Sequence, residues 1–336
     1  MKMSRRSKTV AITFALTVTC AFIVPAADRA AHAAPLCGPL IEFENIADLP
    51  ADCDPTGTQI EFENGVVLDV PTEPDRLVTV SALGRTPSEG YELSAYLDES
   101  FNLAAADDGT VLGSSPSAAR TLSDELANGG EQESAPRRAS PKCATNAPYL
   151  LNRKWAAKRY DWYYNNSGAP VSGGREAMQR AAASVSTGRS SSCGNRDSAL
   201  ITSNRGTTSR SSQVTRDGTC PVVGDNVNVV GWGPIDSSVL GVACSWAAIA
   251  PGLRLESDIK VNSNYKNWYV SGSSCSGQRY DLESLAVHEF GHAGGLGHVG
   301  DDESQIMKPF INQCNLSQRS LGRGDQNGLL RHYGSA

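Results

Sequence analysis

Three histidines and one glutamate occupy a short frame near the carboxyl-terminal end of the sequence. His288, Glu289, His292 and His298 follow the pattern H-E-x-x-H-x-x-G-x-x-H. On a helix, His288 and His292 lie one turn apart and can reach one ion from the same face. Gly295 lets the chain leave that helix through a backbone conformation that other residues avoid, and the turn returns His298 as a third ligand. Three neutral imidazoles leave the fourth position of a tetrahedral Zn²⁺ to water, which is typical of a catalytic site.

The acidic member of this motif is the natural general base for a metal-bound water, because Glu289 directly follows the first ligand. H-E-x-x-H alone occurs by chance in unrelated helices, but the added glycine and histidine make the longer motif specific. The chain has five histidines, and the two outside the motif are His32 and His332. We expect His332 to be a surface or packing residue. The sequence therefore predicts one catalytic zinc bound by the three motif histidines.

The segment after the motif strengthens this interpretation. Residues 304–309 read S-Q-I-M-K-P. With the histidine motif, they resemble the metzincin metalloproteases of the matrixin-like branch, in a secreted bacterial type. In that family a methionine turn lies beneath the zinc, and Met307 stands at the corresponding position; an ordinary core methionine is the alternative. Astacin-like and serralysin-like relatives carry a Tyr ligand two residues later, where this chain has Pro309, so the resemblance is to the matrixins.

The resemblance implies an α+β fold. It comprises a metzincin-like zincin catalytic domain with a mixed twisted sheet, an active-site helix, the Met turn and a C-terminal helix, preceded by a small β-rich N-terminal segment. It also implies hydrolysis of internal bonds in a protein or peptide substrate, with Glu289 moving a proton from the zinc-activated water to the leaving amine. The substrate would pair with an edge strand, which Glu256–Asn262 resembles, and residues 308–315 would line the specificity pocket. The resemblance is specific from about Leu253 to Gly334.

Two features depart from the family pattern. The segment Ser263–Gln278 has no histidine, so a second zinc is not expected, and calcium binding stays open without a clear motif. Cys37, in P-L-C-G-P, faintly resembles the inhibitory cysteine of matrixin pro-segments, whose thiolate could fill the fourth position on zinc. A disulfide with Cys53 is the favoured alternative. Latency would then come from the acidic segment covering the cleft.

The start of the chain predicts export. Residues 1–33 read as a signal peptide, with a positive head, an apolar stretch from Thr9 to Val24 and an A-H-A cleavage site at 31–33. The apolar stretch is too short for a membrane anchor, and no second long one follows. We therefore expect a secreted, extracellular protein with no membrane contact after cleavage.

Eight cysteines remain after the signal peptide, and an even number in an exported protein predicts four disulfides. Cys37 and Cys53 are isolated from the others and are expected to pair. The connectivity stays open for the other six, which are Cys143, Cys193, Cys220, Cys244, Cys275 and Cys314.

Charge divides the mature chain into two unlike parts. Residues 34–135 carry 20 acidic residues and 3 arginines, whereas residues 136–336 carry 15 acidic and 22 basic residues. This contrast predicts electrostatic docking of the first part on the second; a solvated acidic leader is the alternative. The basic residues form no run and are not interleaved with aromatics, so nucleic acid is not an expected partner. We expect a monomer.

Composition predicts three regions after the signal peptide. Residues 34–112 read as a small acidic β-rich or pro region, and residues 113–142 as a flexible linker of Ser, Ala, Gly, Glu and Pro. Residues 143–336 have the size of one metzincin-like zinc metalloprotease domain. Arg137-Arg138, in the linker, would suit a processing protease.

Periodicity and turn residues predict the main elements. Alternation about an Asn-Gly predicts a hairpin at Ile60–Val70. We expect one helix at Ser172–Ser186 capped by Ser172, the zinc helix capped by Asp281, and a short terminal helix at Gly324–Gly334. Strands are expected at Leu77–Val80, Tyr91–Leu97, Trp155–Tyr164, Val227–Trp232, Gly241–Ala247 and Leu253–Asn262.

Two other functions compete with a secreted zinc endopeptidase. One is an exported binding module with a vestigial zinc site, but the retained Glu289 argues against it, because a non-catalytic site needs no base. The other is a zinc hydrolase acting on a different bond, such as an amide in a cell-wall polymer. Catalysis by a serine or cysteine nucleophile has no support in the sequence.

Overall fold

The computed structural model describes residues 34–127, 142–249, 254–300 and 304–336. The predicted signal peptide and the processing site at Arg137-Arg138 lie outside these residues. None of the described helices has both the length and the apolar character needed to cross a membrane.

Sixteen strands and four α-helices follow one another along the described chain. The strands are β1 (Leu40–Glu42), β2 (Gln59–Glu61), β3 (Val67–Asp69), β4 (Arg76–Leu83), β5 (Tyr91–Leu97), β6 (Leu103–Asp107), β7 (Thr110–Gly113), β8 (Leu150–Leu151), β9 (Arg159–Asn165), β10 (Ile201–Thr207), β11 (Val229–Gly233), β12 (Gly241–Ala248), β13 (Arg254–Asn262), β14 (Trp268–Tyr269), β15 (Tyr280–Asp281) and β16 (Leu296–Gly297). The helices are α1 (Pro116–Ala127), α2 (Gly174–Ser186), α3 (Leu282–Ala293) and α4 (Arg323–Tyr333), with 3₁₀ turns at Phe43–Asp48 and Leu316–Arg319.

Nine of these strands form one mixed sheet in the order β10-β9-β11-β13-β12-β4-β5-β6-β7. The first four strands in this order run parallel to one another, and β12 pairs antiparallel with β13. From β12 onward every pairing is antiparallel, through β4 to β7. The mixed α+β fold and the β-rich N-terminal region agree with the sequence prediction.

The N-terminal strands continue the sheet of the zinc-helix region, although the sequence suggested a separate small unit. In β4 every residue except Arg76 is buried. A strand covered on both faces reads as a nearly continuous apolar or small-residue run rather than an alternating one, and such a strand belongs inside a sheet. The acidic region is joined to the zinc-helix region by backbone pairing between β4 and β12. Electrostatic docking, which the charge contrast indicated, stays a prediction.

Local predictions in the N-terminal region are confirmed where turn chemistry decided them. Gln59–Glu61 pairs antiparallel with Val67–Asp69 around the Asn-Gly turn, and Gly65 has a φ of 77°, as that turn requires.

The linker prediction is wrong over part of its length, because Pro116–Ala127 forms helix α1. The hydroxyl of Ser115 accepts a hydrogen bond from the amide of Ala118, which stabilises the first turn. Ala118 and Leu122, four positions apart, bury their side chains together against the sheet. The remaining linker residues, 128–141, lie outside the described part of the chain.

Two further details correct the sequence analysis. Helix α2 begins after Gly173, whose φ of 79° is left-handed, and Ser172 makes no cap. The strand that contains Glu256–Asn262 is β13, which lies between β11 and β12 and is therefore not a sheet edge. Its parallel partner β11 and antiparallel partner β12 occupy both sides of its backbone.

Helix α3, which carries the zinc motif, is enclosed along its whole length. All of its residues are buried, and it packs against α2, β12 and β13. Phe290 makes edge contacts with Trp162 at 5.2 Å and with Tyr160 at 6.0 Å between ring centroids. The helix is therefore held rigidly against the sheet, and it presents its histidines from a fixed backbone.

All eight described cysteines form disulfides. The predicted Cys37–Cys53 pair is confirmed. The structure also resolves the pairing that the sequence left open, as Cys143–Cys193, Cys220–Cys244 and Cys275–Cys314. With Cys37 bonded to Cys53, no free thiol is available from this residue to reach a metal.

Candidate metal centre

Helix α3 begins where the sequence predicts. Asp281 is its N-cap and accepts a hydrogen bond from the amide of Ser284 at 2.8 Å. The same carboxylate forms a two-point ion pair with Arg319, from the 3₁₀ turn that precedes α4. The buried start of the helix is thus tied to two parts of the chain at once.

The end of α3 is fixed by side chains that satisfy its last carbonyl groups. The indole of Trp155 donates to the carbonyl oxygen of Ala293 at 2.7 Å, and the hydroxyl of Tyr333 donates to that of Gly294 at 2.9 Å. The next residue, Gly295, has a φ of 91°, and a Cβ there would lie 2.6 Å from the carbonyl oxygen of Arg153. Glycine is therefore required at this turn for both reasons.

The turn returns the chain as strand β16, which pairs with β8, and the third histidine follows directly. His332 contributes to this turn, since its Nε2 lies 3.0 Å from the carbonyl oxygen of Gly295. It therefore packs against the motif from α4, as a support of the turn.

The structure brings the three predicted histidines together. The Nε2 atoms of His288 and His292 are 2.9 Å apart, and His298 Nε2 is 3.1 Å from that of His292 and 3.2 Å from that of His288. Nitrogens bound to one tetrahedral zinc at about 2.0–2.1 Å would stand roughly 3.3 Å apart. Among the described residues, this is the one group of three or more potential ligands close enough to hold a metal.

Two of the rings are oriented through their other nitrogen. His288 Nδ1 lies 2.7 Å from the carbonyl oxygen of Ile306, and His292 Nδ1 lies 2.9 Å from that of Leu296. A carbonyl oxygen only accepts, so each Nδ1 carries the proton and each Nε2 presents its lone pair to the ion.

Burial also keeps two of the three rings neutral. It lowers the pKa of His288 to about 4, and it lowers the pKa of His298 well below its ordinary value. A metal ligand must be the neutral imidazole, so His288 and His298 are in the required state over the physiological pH range. The donor set and its surroundings fit a zinc ion.

Glu289 lies beside this centre, fully buried, and burial raises the pKa of its carboxyl group well above the ordinary value. Neither of its carboxylate oxygens has a hydrogen-bond partner among the described residues. A Cβ added at Gly241, the first residue of β12, would lie 2.8 Å from Glu289 Oε1. The carboxylate therefore faces the start of β12, with its hydrogen-bonding capacity unused by the protein.

Met307 lies against helix α3 at Gly291, the residue before the second histidine. A Cβ at Gly291 would come within 2.4 Å of Met307 Sδ, and the methionine is buried. The carbonyl oxygen of Met307 accepts a hydrogen bond from the amide of Val299, the residue after the third histidine. The turn around Met307 is thus joined to both arms of the motif.

A carboxylate that the sequence analysis missed comes from the N-terminal region. Glu92, on β5, accepts a hydrogen bond from the amide of His298 at 3.2 Å, and its Oε2 lies 3.4 Å from His292 Nδ1. Burial raises the pKa of Glu92 to about 7. No motif surrounds this residue, and only the pairing of β4 with β12 brings its strand to the metal centre.

Comparison with known proteins agrees with this geometry. Residues 237–334 match the model of the Matrixin family, Peptidase_M10. This segment begins just before β12, contains the zinc motif and the Met307 turn, and ends with α4. Together with the converging imidazoles, the match implies a catalytic zinc.

Two similar proteins bear related names. Human "Matrix metalloproteinase-25" is 43% identical over 65 residues, which are 19% of this chain and 11% of that protein. "Metalloendoproteinase 2-MMP" of Arabidopsis thaliana is 42% identical over 74 residues, which are 21% of this chain and 19% of that protein. The chain therefore spans less than a fifth of the length of either relative. A bacterial type stays a prediction.

Proposed function

We propose that the protein is a secreted, monomeric zinc-dependent endopeptidase that hydrolyses internal peptide bonds of proteins. One observation carries the proposal: three buried imidazole Nε2 atoms converge beside a buried carboxylate, Glu289, whose oxygens have no partner in the described structure. The matrixin match over residues 237–334 supports the same reaction class.

The roles follow from the geometry. His288, His292 and His298 would hold the ion, and bound zinc would supply a water of lowered pKa and a Lewis acid for the scissile carbonyl. Glu289 would accept a proton at a carboxylate oxygen and return it to the leaving amine. Burial raises the pKa of Glu289, which suits a group that holds a proton between these two steps.

The supporting residues act through position. Gly295 would allow the sharp turn between the second and third ligands, and Met307 would fill the space beneath the helical ones. Along the chain, residues 143–336 would form the catalytic domain, 34–112 a pro region and 113–142 the connection between them. Residues 1–33 would direct export.

The test is hydrolysis of casein and of a peptide library by the purified protein, before and after limited digestion of the linker. Cleavage of internal bonds that a chelator abolishes and zinc restores would support the proposal. Zinc-loaded protein that releases products only from a non-peptide amide would contradict it.

A further inference from the structure

The strand edge nearest Glu289 is covered by the N-terminal region of the same chain. We propose that residues 76–90 hold the full-length protein inactive by occupying the position of an extended peptide substrate. This inference rests on the proposed endopeptidase function, and it adds an inhibitor and the way it binds.

The first step concerns β12. Its residues pair with β13 on one side, and on the other side all eight of them, from Gly241 to Ala248, pair antiparallel with β4. An extended peptide binds to a sheet by forming backbone hydrogen bonds with an open edge strand. In this structure β12 has no open edge, because β4 already forms those bonds.

The second step concerns where β4 ends. Its last residue, Leu83, stands opposite Gly241 in the register, and Gly241 is the residue whose Cβ position lies against Glu289. The covering strand therefore reaches the carboxylate that we propose as the general base.

The third step is the side chain of Leu83. It is buried in the hydrophobic cluster that contains Leu285 and Phe290 of α3 and Met307. Other buried residues of β4 belong to a different cluster. Val78, Val80 and Ala82 pack in the cluster of the N-terminal strands. Among the described residues of the N-terminal region, Leu83 alone is a buried member of the cluster around α3.

The fourth step is the backbone at the end of β4, which forms hydrogen bonds with two separate segments of the chain. The carbonyl oxygen of Leu83 accepts from the amide of Leu240 at 2.8 Å. The amide of Gly84 donates to the carbonyl oxygen of Pro309 at 2.9 Å, and the carbonyl oxygen of Gly84 accepts from the amide of Ile311 at 3.2 Å. The chain thus crosses between β12 and the segment after Met307, as an extended ligand spanning both would.

The chain turns back immediately beyond this point. A Cβ at Gly90 would lie 1.8 Å from the carbonyl oxygen of Pro309, and one at Gly84 would lie 2.5 Å from the amide nitrogen of Gly90. Both ends of the turn therefore contact Pro309, Gly84 through its amide and Gly90 by close packing. No side chain fits at either glycine. Residues 85–88 of the turn are exposed.

This inhibition needs no thiol. Cys37 is bonded to Cys53, and the N-terminal region instead excludes substrate by backbone pairing and by the Leu83 side chain. Cutting the linker alone would leave β4 in its place, because the hydrogen bonds and the buried leucine do not depend on a covalent connection through residues 128–141. Activity should appear only when β4 leaves β12.

The experiment compares four forms of the full-length protein: wild type, Leu83→Asp, Gly90→Ala and the control Leu36→Asp. Leu83→Asp puts a charge into the apolar cluster, and Gly90→Ala forces the turn off Pro309 without removing any buried group. Leu36 belongs to the same N-terminal region but is 64% exposed, so the same leucine-to-aspartate change should not move β4. The readouts are zinc content, the hydrolysis rate of a quenched fluorescent peptide, and deuterium exchange at the amides of β12.

We expect both test variants to retain zinc and to exchange the β12 amides faster. They should cleave the peptide about tenfold or more faster than wild type, because the rate is proportional to the open fraction, and a small loss from a dominant closed state multiplies that fraction. The Leu36→Asp control should match wild type. If Leu83→Asp fails to fold, Gly90→Ala still decides. If wild type hydrolyses the peptide as fast as a folded Gly90→Ala variant does, this inference is overturned and the proposed function stays intact. Zinc-loaded variants with opened β12 and no peptide cleavage overturn the proposed function instead.

Discussion

The carboxylate of Glu92 accepts a hydrogen bond from the backbone amide of His298 at 3.2 Å, which joins the N-terminal region directly to the loop of the third zinc ligand. The two residues are far apart in sequence, and they meet because β4 pairs with β12 and β5 pairs with β4. The N-terminal region therefore both covers the proposed substrate position and supports the metal centre.

Removal of this contact should loosen the third ligand. We expect Glu92→Ala to weaken zinc retention of the full-length protein by about tenfold, within the range for groups that orient metal ligands. Competition with a chromogenic chelator measures this change. Glu99→Ala, an exposed residue just after the same strand, is the control and should not alter affinity. Equal zinc affinity in wild type and Glu92→Ala would refute a supporting role for the carboxylate.

The contact between Gly291 and Met307 predicts a packing conflict. In Gly291→Ala the added methyl group would lie 2.4 Å from Met307 Sδ unless the methionine moves. We expect the free energy of unfolding to fall by about 1–3 kcal/mol, the usual cost of overpacking a buried site. Combining it with Met307→Ala should recover part of that loss, so the double variant should be more stable than the sum of the single effects predicts. Strictly additive urea-denaturation energies would argue against direct contact.

The N-cap of the zinc helix should be costly to remove. Asp281 is fully buried and holds both Ser284 and Arg319. Asp281→Ala removes the carboxylate that pairs with Arg319 and leaves the helix without its cap, and we expect a loss of about 3 kcal/mol or more in unfolding free energy. Asp281→Asn, which keeps one acceptor oxygen, should lose less. Asp236→Ala breaks an exposed pair with Arg216, so it should change stability little; equal effects at both sites would contradict this explanation.

Asp258 predicts a specific dependence of stability on pH. Burial raises its pKa from 3.8 to about 7, even though the amides of Gln213 and Val229 donate to its carboxylate. Between these two values the folded chain holds the proton and the unfolded chain releases it. Rising pH therefore favours unfolding across this window, and the contribution of the protonated carboxyl to stability is lost as pH approaches 7.

The neutral variant Asp258→Asn lacks this titration. Urea denaturation at several pH values should show wild type losing stability relative to Asp258→Asn from about pH 4 to about pH 7, with no further divergence above that window. Parallel pH profiles of the two proteins would show that this carboxyl titrates normally in the folded state.

Local signals made much of the centre predictable from sequence. The histidine spacing, the Asp281 cap and the left-handed Gly295 are fixed by residues close together in the chain, and the structure has the cap and the turn where they were expected. The hairpin around Asn64-Gly65 was equally predictable from the sequence. Each of these depends on the dihedral preferences or hydrogen bonding of a few neighbouring residues.

Long-range pairing was not predictable in the same way. The buried run of β4 shows that both its faces are covered, but no periodicity identifies β12 as its partner. The mistaken choice of Glu256–Asn262 as an edge strand has the same origin. The local sequence pattern of a strand such as β13 does not show whether it lies inside the sheet or at its edge. Glu92 could be assigned to the metal centre only after this pairing was known.

The most direct test of the central claim is peptide turnover by zinc-loaded Glu289→Gln, measured in both the wild-type and the Leu83→Asp backgrounds. The substitution keeps the shape of the side chain and leaves all three histidines in place, so we predict full zinc content. Hydrolysis should nevertheless fall below detection in both backgrounds, because no carboxylate remains to carry the proton. A zinc-loaded protein carrying both Glu289→Gln and Leu83→Asp that cleaves peptide at the rate of its Leu83→Asp parent would contradict the account.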